Sequence, residues 1–180
     1  MADLAVVALF GLVATGCGTE DSGRPARPQT VKLDWHENCG TRADPIPITT
    51  RRLVVHKHRW LVELSFRNET RVALGVIRPH YPGSTYFGLE PFKTASWTDV
   101  LARAGPAAAK PRTIADRFRP SRPTLVQPRA GWAGSFSGPG ALPAGVPIRV
   151  VLGRFVVRGK TPPRFVGDFL CISRRVVRLE

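Results

Sequence analysis

Arg59-Trp60-Leu61-Val62-Glu63-Leu64-Ser65-Phe66-Arg67-Asn68 has the cleanest period of two in the chain. Trp60, Val62, Leu64 and Phe66 fall on one side. Arg59, Glu63, Ser65 and Arg67 fall on the other, with Leu61 as the apolar exception. Successive side chains of a strand point to opposite faces, so this alternation describes a strand with one face in a core and one in water. Asn68-Glu69-Thr70 follows with turn chemistry. Val72, Leu74 and Val76 then resume the alternation across Arg71 and Ala73. The two segments predict the centre of an antiparallel β domain.

Outward from this centre the same signals recur. Residues 30–33 predict a first edge strand, and Leu53-Val54-Val55 leads into the central one. Pro45-Ile46-Pro47-Ile48 suits only an edge or a loop, because proline donates nothing to a ladder. Thr85-Tyr86-Phe87-Gly88-Leu89 predicts a short strand, and Trp132, Gly134 and Phe136 alternate with Ala133 and Ser135. Ile148, Val150 and Leu152 share one parity while Phe155 and Val157 take the other, which places a bulge at Gly153. Phe165 to Ile172 and, past Ser173-Arg174-Arg175, residues 176–179 supply the last strands. Ser96 and Asp99 have capping-box spacing, so residues 96–105 predict a helix that Gly105 can end, and residues 112–118 predict a further helical turn.

This gives about seven to nine short strands with recurring turn signals, the pattern of a β-sandwich. The layout is similar to bacterial extracytoplasmic immunoglobulin-like domains. The likeness lies in the apolar strand ending at Asn68, the segment Trp132 to Phe136, and a Leu142-Pro143-Ala144-Gly145 turn feeding another hydrophobic strand. The resemblance spans residues 50–172. It implies an all-β fold, an immunoglobulin-like antiparallel β-sandwich with one or two short helices in a connecting loop. It implies no activity.

The 180 residues suffice for one domain and a tail, and 43% apolar content supplies a core. Seventeen prolines and seventeen glycines favour short strands over long helices. Net charge is +14 and the isoelectric point is about 11.3. Such a balance suits an anionic partner, whether phospholipid headgroups or an acidic envelope polymer. It also fits a compositional origin, since 22 Arg stand against 5 Lys and are scattered through the chain. Nucleic acid is not the expected partner.

Near the amino terminus, residues 4–14 form an almost unbroken apolar run, followed by Thr15-Gly16-Cys17 and then polar Gly18-Thr19-Glu20-Asp21-Ser22. Eleven residues are too few to cross a bilayer, which takes about 18 to 20, but they match the apolar region of a secretory signal. The small residues Ala14 and Gly16 before Cys17 resemble the bacterial lipobox. That resemblance implies cleavage before Cys17 and a diacylglycerol on its thiol. The expected organisation is therefore a signal peptide over residues 1–16, a flexible tether over 17–30 and a sandwich over 31–180. A tether of that composition reaches on the order of 20 Å.

With Cys17 lipidated, Cys39 and Cys171 remain, the number for one disulfide in an exported protein. A sandwich commonly lays its first and last strands close together, so the pairing is geometrically reasonable.

Candidates for chemistry are few. His56-Lys57-His58 would put two imidazoles on one side of a strand, and His36 and His80 fall in loops, but no third metal ligand has a telling spacing. There is no G-x-S-x-G and no phosphate loop. Ser96, Ser135 and Ser137 have no argued His and Asp partners, and Asp34, Glu37, Asp99 and Asp168 are isolated from one another. The Asn68-Glu69-Thr70 sequon reads better as a turn. The most basic stretch is residues 110–129, and Arg112, Arg117, Arg119 and Arg122 make it the candidate contact loop. The expectation is a non-enzymatic interaction module without a cofactor. It would be held outside the bacterial cell membrane by a lipid and would present loops to a protein or an anionic envelope polymer. The competing expectation is a secreted metal-binding protein or hydrolase on the same scaffold.

Overall fold

The computed structural model describes residues 24–76, 87–91, 113–160 and 168–180. These residues form twelve strands in two antiparallel sheets. One sheet contains β1 (Gln29–Asn38), β2 (Pro47–Val55), β3 (Arg59–Arg67), β9 (Gly131–Pro139) and β7 (Arg117–Arg119), in that order. The other contains β4 (Ala73–Val76), β5 (Phe87–Pro91), β6 (Thr113–Ile114), β8 (Leu125–Val126), β10 (Pro147–Arg158), β11 (Asp168–Ile172) and β12 (Val177–Arg178). The all-β antiparallel sandwich expected from the alternation is the fold.

β3 lies in the middle of its sheet, and its two faces divide as the period of two demands. Trp60, Val62, Leu64 and Phe66 are buried, while Arg59, Leu61, Glu63 and Ser65 are only half-buried. β9 pairs along its whole length and sends Trp132 and Phe136 to the same side. Gly138 also faces inward, where an added Cβ would come within 2.5 Å of the Trp60 indole. A glycine there is what lets the largest core side chain lie across the neighbouring strand.

The second sheet is organised on β10. Ile148, Val151, Phe155 and Val156 each pair with two strands at once, which requires one partner on each edge. β5 and β4 therefore follow one another along one edge of β10, and β12 and β11 along the other. The expected bulge is present: the register shifts between Val151 and Gly153, and Gly153 sits at φ 83°. The left-handed conformation costs glycine little and lets Phe155 turn inward after Leu152. Phe155 meets Phe66 of the facing sheet edge-to-face at 5.1 Å, and Phe87 meets Phe136 in the same manner at 5.5 Å. Such rings interlock the two layers and favour one packing over sliding.

Both open sides of the sandwich are closed. On one, the chain leaves the second sheet after β6, adds β7 to the first sheet and returns to the second as β8. On the other, β1 faces the segment from β11 to β12. Cys39 is bonded there to Cys171, Glu37 Oε1 accepts the backbone N–H of Arg174 at 2.7 Å, and Glu180 O accepts from Arg27 N and Gln29 Nε2. The remaining edge of β1 is blunted by a bulge at Asp34, held at φ 46° beside Lys32.

Several local expectations change. Residues 113–119 form β6 and β7 rather than a helical turn, because their backbone groups find partners in Gly88, Leu89 and Arg117–Arg119's neighbours Ser135, Phe136 and Ser137. The helix expected over residues 96–105 lies outside the described residues. Pro47 and Ile48 open an interior strand, where Pro47 stands at its first position and costs no ladder bond. Residues 24–30, expected to be tether, are packed chain: Ala26 N donates to Leu142 O at 2.7 Å, Ala144 N to Arg24 O at 2.8 Å, and Ala26 is buried. β1 itself begins at Gln29.

The turn after β3 is a buried polar knot. Asn68 is 1% exposed; its Nδ2 donates to Val72 O at 2.8 Å and Val126 O at 2.9 Å, and its Oδ1 accepts from Thr70 N and Thr70 Oγ1. All the hydrogen-bonding capacity of the amide is used, so the turn reading of this sequon holds.

Candidate functional site

The candidate contact segment is a strand-forming crossover. Arg112 lies outside the described residues. Arg117 and Arg119 stand exposed on β7 on either side of Phe118, which turns toward the core and packs on Phe136 and Trp132. Arg122 is half-buried, with its guanidinium 5.4 Å from the Phe118 ring centre and 5.7 Å from that of Phe87. This is cation–π packing that holds the return from β7 to β8. Trp132 Nε1 donates to Ser121 O at 3.2 Å and fixes the same turn. Among the described members of the group, Arg117 and Arg119 are thus the outward-facing cations, and Arg122 has a packing role.

His56 and His58 occupy the turn between β2 and β3 rather than one side of a strand. His56 N bonds to Arg59 O at 2.8 Å, both imidazoles are exposed, and Lys57 sits between them. His36 lies on β1 with Nδ1 3.2 Å from Thr49 Oγ1, and His80 is outside the described residues. Among the described residues, no three of His, Cys, Asp and Glu come together as a metal site. Ser135 and Ser137 lie in β9 opposite β7, and Ser96, Asp99 and the side chain of Asp168 are outside the described residues. Asp34 pairs with Lys32 at 2.8 Å.

Glu37 is the carboxyl with the most distinctive setting. Its Oε1 is held by the amides of Arg174 and Arg175. Burial raises its pKa above the ordinary glutamate value, against the opposing pull of those amides and of the two arginine charges. It works as a clasp beside the disulfide.

The turn 56–58 belongs to a larger end of the sandwich. Gly140 N donates to His58 O, Arg24 and Ala26 run beside Leu142 and Ala144, Arg178 Nη1 donates to Gly145 O at 2.8 Å, and Gly145 N to Leu179 O. The described chain therefore starts, at Arg24, on this end of the sandwich. The opposite end holds Arg42, the Asn68 knot and Arg129.

Two residues escaped the sequence reading. Arg149 is 2% exposed and lies on the face of β10 away from the main core, with Nε and Nη2 each 2.7 Å from Glu90 Oε2. Its neighbour across one position, Val151, is likewise fully buried on that face. The clue available was the apolar run on both parities, Ile148, Val150, Val151 and Leu152. It marks a strand covered on both sides, where an arginine needs a carboxylate.

No protein-family model, no curated protein and no solved structure matches this chain. No helix among the described residues is long and apolar enough to cross a membrane.

Proposed function

We propose that this protein is a non-enzymatic binding module, exported and held at the outer face of a bacterial cell membrane by a lipid on Cys17. The partner is a protein or an anionic envelope polymer. The observation that carries the reading is the Cys39–Cys171 bond, which fits a chain folded in an oxidising compartment. The tract around Cys17 supplies the means of export and anchoring. The exposed arginines on β7 supply a contact edge of the right charge.

Metabolic labelling with a fatty-acid analogue tests the anchor. Label should enter the chain and vanish in Cys17→Ser; label that persists in the variant rejects it. The competing reading, a metal-binding protein, rests on His56 and His58 at one exposed turn. Stoichiometric metal binding that is lost in the His56→Ala/His58→Ala double variant would replace the proposed function.

A further inference from the structure

We propose that the end of the sandwich carrying the 56–58 turn is a second, electrostatic contact with the bilayer, one that selects anionic phospholipid headgroups. The inference rests on the reading of Cys17 as the lipid anchor.

Four chain segments meet at this end, as the hydrogen bonds among residues 24–27, 56–58, 140–145 and 178–180 show. Arg24, Arg27, Lys57 and Arg178 are exposed there. Glu180 opposes them, Asp116 is taken by Arg59, and exposed Arg117 lies beside that pair, so cations outnumber carboxylates among the described residues of this end. His56 and His58 flank Lys57 at the tip.

Charge alone does not choose this end, because Arg42, Arg67, Arg129, Arg158 and Lys160 make the opposite end basic too. Attachment does. Seven peptide steps separate Cys17 from Arg24, so even a fully extended chain spans no more than about 25 Å. An anchored Cys17 thereby confines the near end to a thin layer above the headgroups and raises its effective concentration there. The field of an anionic leaflet fades within about a Debye length, roughly 8 Å in physiological salt. The near end can enter that layer. Each Lys or Arg that does so strengthens contact by roughly fivefold. The far end, across the length of the strands, stays outside it. Docking in this way would leave the far end facing the envelope.

The test uses the full chain with its lipid, reconstituted in vesicles of phosphatidylcholine alone or mixed with phosphatidylglycerol. An environment-sensitive probe is placed at His58→Cys or, at the far end, Ala43→Cys, and quenched with headgroup-labelled lipid. The expected result is quenching at position 58, only with phosphatidylglycerol and reversed by high salt, and little quenching at position 43. Arg24→Glu/Arg27→Glu/Lys57→Glu should reduce the contact at position 58 by tenfold or more while the protein stays on the vesicle. Arg42→Glu/Arg129→Glu/Lys160→Glu should leave it unchanged. Equal quenching at both positions, or quenching at 58 that ignores lipid charge, overturns the proposal. Mass spectrometry of the same sample separates the failures: a lipidated chain without the contact overturns this inference alone, and an unlipidated chain overturns the anchor and this inference with it.

Discussion

Cys39 and Cys171 stand with their Cα atoms 5.3 Å apart, joined by a disulfide that ties the residue just past the end of β1 in one sheet to β11 of the other. The bond spans a sequence separation of 132 residues and closes an open side of the sandwich. Loss of either thiol removes the same constraint on the unfolded chain. Cys39→Ala and Cys171→Ala should therefore each cost about 2–5 kcal/mol. The double variant should cost no more than the worse single one, since the two residues act as a unit. Urea unfolding of the three variants checks this, and additive losses would show that the thiols stabilise the fold separately.

The Asn68 knot predicts a larger penalty than its surface-like sequence suggests. Asn68→Ala removes both donors to Val72 O and Val126 O and the acceptor for Thr70. Buried orphan groups cost about 1–3 kcal/mol each, so the loss should be about 3 kcal/mol or more. Asn68→Asp should be similarly damaging, because an acceptor would then face two carbonyls. A near-neutral aspartate variant in chemical denaturation would refute the hydrogen-bond assignment.

For Arg149 and Glu90, removing one partner should be worse than removing both. Glu90→Ala should cost about 3 kcal/mol, as expected for a broken buried pair, while Arg149→Met/Glu90→Leu should recover much of that loss. The pair is shielded from solvent, so raising salt should change the wild-type midpoint little through this interaction. Equal losses in the single and double variants would mean that the pair is not coupled.

Glu37 gives stability a pH dependence of definite sign. Its folded pKa is raised, so between the ordinary glutamate value and the raised one the native state binds more protons than the unfolded chain. Its contribution is greatest below the unfolded pKa and declines as pH rises through that window, then stays level. Glu37→Gln keeps an oxygen for the amides of Arg174 and Arg175 but does not titrate. Denaturation at several pH values between about 4 and 7 should show wild type losing stability relative to Glu37→Gln as pH rises. Parallel curves would mean that burial does not govern this carboxyl.

The sandwich was legible because period-two alternation reports directly on which side chains a strand buries. In β3 and β9 that pattern named Trp60, Val62, Leu64, Phe66, Trp132 and Phe136 as core, and all are buried. The parity switch after Leu152 likewise located the bulge at Gly153, since a strand cannot change face without one extra residue. The knot at Asn68 announced itself as a turn, but its carbonyl partner Val126 lies 58 residues away.

What the chain order could settle alone was thus local: faces and turns. Tertiary structure decided the rest. β6, β7 and β8 are two or three residues long, too short for any periodicity, and exist because neighbouring strands offer them backbone partners. The same crossover moved Arg122 from a contact loop onto the rings of Phe118 and Phe87, the latter 35 residues earlier in the chain. Arg149 reads locally as an outward charge, and only cover on the far face of β10 makes it a buried ion. The meeting of residues 24–27 with 56–58, 140–145 and 178–180 is likewise set by the path of the strands. Side-chain alternation is a property of neighbours in sequence, whereas proximity between distant segments is fixed by how the two sheets stack and close.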